Sequence, residues 1–94
     1  MENKIDISMF VDILTREQAI CNLVNRFIKR RKSMKITQKK LAERTMVSYA
    51  SIRRFETTGE ISLSSLMRLA LALGCLEDFE KLFANEFIFD LEDL

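Results

Sequence analysis

The chain has 94 residues, 48% of them apolar and 31% charged, with a formal net charge of +1, a balance that suits one small globular domain and excludes a disordered chain. No apolar run approaches the roughly 20 residues of a membrane span, and the start Met1-Glu2-Asn3-Lys4 lacks the basic-then-apolar layout of a secretion signal, so a soluble cytoplasmic protein is expected. With no histidine and no proline, the chain offers no imidazole for acid–base or metal chemistry and nothing that forbids helix.

Ile5–Leu14 is apolar with Asp6 and Asp12 interspersed, and its pattern fits either a strand or a short helix. Thr15 then reads as an N-cap, with Gln18 three residues on completing a capping box. The helix it opens is expected to run to about Lys32, with Ile20, Leu23, Val24, Phe27 and Ile28 as its apolar stripe. Its last turn, Lys29-Arg30-Arg31-Lys32, suits the negative end of the helix dipole. Ser33–Ile36 is a connector. Thr37 caps a second, short helix with Leu41 and Ala42 inward, and Ser48 caps a third with Val47, Ile52 and Phe55 inward. Thr57-Thr58-Gly59-Glu60 reads as a loop. Ser62 caps a fourth helix, Leu63–Leu73, whose Leu66, Leu69, Ala70 and Leu73 recur at i, i+3, i+4 and i+7, and Gly74 ends it. A short fifth helix is expected over about Leu76–Phe83, followed by an acidic, apolar tail over Ala84–Leu94. Cys21 and Cys75 lie far apart, outside any CxxC pair, and are expected as small buried hydrophobes without a disulfide.

The near-neutral total conceals three blocks. Residues 1–25 carry a net charge of −2, residues 26–56 a net +9, and residues 57–94 a net −6. A concentrated basic middle is the footprint of a polyanion binder, because each cation set against a phosphate releases counterions; a solvated charged face is the simpler reading of the same run. Within this block, two short capped helices joined by a tight turn need flanking helices to cover them, which leaves the outer face of the third helix free. That face carries Tyr49, Ala50, Arg53 and Arg54. Arginine can bind a guanine edge in bidentate fashion and alanine can touch a thymine methyl in the major groove.

The segment Ile36–Glu56 resembles the phage-repressor-like (Cro/C1 or XRE-type) helix-turn-helix. The matching residues are Thr37-Gln38, Leu41-Ala42, Val47-Ser48, Ile52, Phe55-Glu56, Leu66, Leu69-Ala70 and Leu73-Gly74. The resemblance implies an all-α, five-helix lambda-repressor-like DNA-binding domain, with its core over about 15–83, the helix-turn-helix over 37–56 and short N-terminal and C-terminal extensions. It implies double-stranded DNA as ligand and Gln38, Ser48, Tyr49, Ala50, Ser51 and Arg54 as contacts, with Arg53, Thr57 and Thr58 as phosphate contacts. It also implies an ion pair between Arg31, ending the first helix, and Glu56, ending the third. The chain departs from the family at the turn, where the usual glycine is Met46. A glycine and a proline usual after the third helix are shifted or missing.

More narrowly, Val47–Leu63 and Leu73–Phe83 resemble HipB-like antitoxins encoded with HipA-type kinase toxins. That resemblance implies a homodimer that represses its own operon and binds a HipA-like kinase toxin. The alternative is a protein-interaction module in which toxin binding is primary, carried by an alternating strand over Asn85–Leu94 that adds to a partner's sheet edge. Dimer contacts could come from the fifth helix and tail or from Ile5–Leu14, unless these segments only cover the chain's own core. Enzymatic activity is not expected. There is no Gly-rich phosphate loop and no metal-spaced ligand set, the prominent serines read as helix caps, and no cofactor is implied.

Overall fold

The computed structural model describes residues 13–87 and is helical throughout its regular structure. Its elements are α1 (Arg16–Ser33), α2 (Gln38–Thr45), α3 (Tyr49–Thr58), α4 (Leu63–Ala72) and a 3-10 helix (Leu76–Lys81). Each α-helix starts on a hydroxyl. Thr15, Thr37, Ser48 and Ser62 each accept from the backbone N–H three residues on, at 3.0 Å. Such caps are each worth about 1 kcal/mol and fix where the helices begin.

One core joins the four helices: Val24 and Phe27 of α1, Ile36 of the connector, Leu41 of α2, Val47 of the turn, Ile52 and Phe55 of α3, and Leu69 and Leu73 at the end of α4. Phe27 and Phe55 meet edge-to-face with centroids 5.0 Å apart, the arrangement favoured by the ring quadrupole. Because α2 and α3 are short, their stability comes from this shared burial rather than from helix propensity.

Two helix ends form the same carbonyl-saving motif. After α4, Gly74 takes φ 73° while Gly74 N–H and Cys75 N–H donate to Leu71 O and Ala70 O. After α1, Lys35 takes the equivalent left-handed conformation (φ 58°), with Lys35 N–H on Lys32 O and Ile36 N–H on Arg31 O. The two ends are also tied together. Arg30 Nε donates to Leu73 O at 2.8 Å and Nη2 to Gly74 O at 3.4 Å. The basic end of α1 thus serves another helix's dipole as well as its own.

Several expectations are corrected. Leu23 is 38% exposed and Cys21 is exposed, because the buried face of α1 follows Val24, Phe27 and Arg31 and neither residue falls on that line. Cys75 is half-buried, and both cysteines are free. Gln18 does not close a capping box; its amide donates to Asn22 instead. Thr57 and Thr58 are not loop but the last turn of α3, which Gly59 ends with φ 81°. The fifth helix is a 3-10 helix that stops at Lys81 and has no side-chain cap. Half-buried Leu76 and Phe79 sit three residues apart, the spacing that a 3-10 turn brings to one side. Most of the strand expected over Asn85–Leu94 and most of Ile5–Leu14 fall outside the described residues, and residues 85–87 are not strand.

Candidate nucleic-acid interface

The turn between α2 and α3 is built without glycine. Thr45, buried at the end of α2, donates its hydroxyl to Leu41 O (2.7 Å) and accepts Val47 N–H (3.2 Å). Met46 reverses the chain in the left-handed conformation, φ 65°, with its side chain 84% exposed. Val47 then plugs into the core at 4% exposure. The missing glycine therefore leaves the turn intact, at the cost of a side chain held where only about a few per cent of non-glycine residues sit.

Behind α3 lies a buried polar clamp. Arg31 and Glu56 side chains are 9% and 8% exposed, and Arg31 donates Nε to Glu56 Oε2 (2.8 Å) and Nη2 to Oε1 (3.1 Å). Arg31 Nη1 adds a bond to Ile36 O at 2.9 Å, fixing the connector. Gln38, first residue of α2, donates Nε2 to Glu56 Oε1 at 2.8 Å. One carboxylate thus ties together the end of α1, the start of α2 and the end of α3.

In front, α3 exposes Tyr49, Ala50, Ser51, Arg53, Arg54, Thr57 and Thr58, with Ser48 exposed just before it. The sequence-expected residues thus gather on one short helix, and Gln38 stands apart at the head of α2. Their hydrogen bonds differ. Ser48 donates to Ser51 Oγ at 2.8 Å. Thr57 and Thr58 donate back to Arg53 O (3.0 Å) and Arg54 O (2.7 Å). Arg54 forms an ion pair with Glu60 across the end of the helix. Arg53 lies over the Tyr49 ring, and so does Lys39 from α2. Sequence reasoning counted Lys39 only as part of the basic block. Its approach to Tyr49 crosses between helices, so no periodicity could have flagged it.

The charge balance of this region is one-sided. Its two acids are already engaged, Glu56 by Arg31 and Glu43 by Lys40.

A family model described as helix-turn-helix matches residues 28–79, more than half of the chain. The chain belongs to the helix-turn-helix family. The match is to its Cro/C1-type branch, a DNA-binding and non-catalytic module, and it makes this helix-turn-helix protein a DNA-binding transcriptional regulator. No curated protein and no solved structure matches the chain. No helix among the described residues is long and apolar enough to cross a membrane.

Proposed function

We propose that this regulator is a sequence-specific autorepressor that binds operator DNA as a homodimer, with α3 in the major groove. One observation carries the reading: the outer face of α3 presents two arginines, a tyrosine, an alanine and hydroxyls, and no acid, on a helix held rigidly from behind by the Arg31–Glu56–Gln38 clamp. In this reading Gln38, Ser48, Tyr49, Ala50, Ser51 and Arg54 contact the DNA, and Arg53, Thr57 and Thr58 contact its phosphates. A dimer would require two half-sites about one helical turn apart. Leu63 and Leu71 of α4, with Leu82 and Phe83 beyond the 3-10 helix, are exposed apolar side chains available to a second copy.

The narrower reading is a HipB-like antitoxin that also binds a kinase toxin. The likeness of Val47–Leu63 to such proteins and the acidic, apolar C-terminal tail favour it.

The test is a gel shift of the purified protein with the DNA upstream of its own gene against random duplex, at two salt concentrations. Selective binding with a steep salt dependence is expected, lost in Arg53→Ala/Arg54→Ala with the helical signal retained. Equal, weak binding to both DNAs would reject the repressor reading and leave partner binding as the main activity.

A further inference from the structure

Tyr49 opens α3 and carries two cations on its ring. Lys39 Nζ, from the first turn of α2, stands 5.6 Å from the ring centroid. The Arg53 guanidinium, one turn along α3, stands at the same 5.6 Å. Both distances fall within the roughly 6 Å over which an aromatic face attracts a cation. Gathering two like charges at one ring is opposed by their repulsion, and no carboxylate among the described residues pairs with either cation. Neither Lys39 nor Arg53 forms an ion pair with any described residue, whereas Arg31, Lys40 and Arg54 each have an acidic partner.

A ring quadrupole restrains a cation without cancelling its charge. The result is a pair of undiminished positive charges, held where α2 meets α3, on side chains that would otherwise sample many rotamers. A ligand with neighbouring negative charges relieves the repulsion between them. The sugar-phosphate backbone has that character, and a neutral base edge does not.

From this geometry we infer that Lys39 is a further DNA-contacting residue, and that Tyr49 is a positioning residue which sets Lys39 and Arg53 against backbone phosphates rather than reading a base. The inference deepens the proposed docking of α3 on DNA and rests on it.

The experiment is a titration of the selected operator and of a random duplex over a range of salt concentrations. The slope of log K against log salt is about −0.9 per phosphate neutralised. Lys39→Ala, at an exposed position, is expected to make that slope shallower by about 0.9 and to weaken all sequences alike. Tyr49→Phe, which keeps the ring, should hold the wild-type slope and lose less affinity than Tyr49→Leu. Tyr49→Leu should weaken binding about three- to tenfold, flatten the slope, and leave the ranking of operator variants unchanged. In the Tyr49→Leu background, Lys39→Ala should cost less than it does alone, since the ring acts partly through the lysine.

An unchanged slope in Lys39→Ala overturns the inference. So does a Tyr49→Leu variant that keeps its slope but loses discrimination at one base pair, because that makes the tyrosine a reader. Failure of the wild-type protein to bind DNA selectively would instead reject the underlying docking, and the inference with it.

Discussion

Replacing Glu56 by leucine strands a buried guanidinium. Arg31 and Glu56 are 9% and 8% exposed, and removing one partner of such a pair costs about 3–5 kcal/mol, against a total stability of about 5–15 kcal/mol for a domain. Arg31→Met alone should cost a similar amount, because it strands the carboxylate. The double variant Arg31→Met/Glu56→Leu removes both charges and escapes that penalty. It still deprives Ile36 O of its Arg31 donor, an unmet buried carbonyl worth about 1–3 kcal/mol. The double variant is therefore expected to be more stable than either single one. Urea unfolding with midpoints compared at constant m measures all four corners of the cycle. A second readout separates stability from recognition. Gln38 loses its Glu56 acceptor in the double variant too, so operator affinity should stay low where stability has largely returned. Single variants that lose under about 1 kcal/mol, or a double variant that loses the sum of both, would refute the account of Arg31 and Glu56 as a coupled buried pair.

Three further outcomes are expected. Gly59→Ala places a Cβ 2.2 Å from Ile20 Cγ2 at φ +81° and should destabilise by about 1–3 kcal/mol in a thermal melt, since the clash adds to the left-handed penalty; an unchanged melt would mean that the junction of α3 with α1 is looser than described. Met46→Gly, at φ 65° with the side chain 84% exposed, should stabilise by about 0.5–1 kcal/mol, because glycine relieves the strain and little packing is lost. Glu60→Gln frees Arg54 from its exposed ion pair and should raise DNA affinity about two- to fivefold in a gel shift, the scale of a surface pair; unchanged or weaker binding would remove Glu60 as a competitor for that arginine.

The helix starts were legible because each is a local chemical event: a hydroxyl followed three residues later by an N–H, as at Ser48 and Ser51. The core was legible for the same reason, through the spacing of Leu41, Ile52, Phe55 and Leu69. The outer face of α3 followed from the inner one. Periodicity failed where a stripe has an edge, as at Leu23, and where a helix outlasts its pattern, as at Thr57 and Thr58, whose hydroxyls fold back on carbonyls and let Gly59 end the helix one residue later. Long charged side chains were the hardest to place. The sequence contains enough arginines, lysines and acids for many pairings. Only the packed helices decide that Arg30 meets Leu73 and Gly74, that Arg54 meets Glu60, and that Lys39 meets Tyr49.

The Arg30 contacts with Leu73 and Gly74 also bear on when this protein acquires its shape during synthesis. The whole helix-turn-helix is made before Leu69, Leu73 and Gly74 leave the ribosome, yet Leu69 and Leu73 are fully buried against it, and the arginine's two acceptors lie 43 and 44 residues downstream. A nascent chain ending after α3 already has the packing of α3 on α1 and α2 but lacks the α4 side of the core, which covers α2. The core around the helix-turn-helix is therefore expected to close late, when the last turn of α4 emerges.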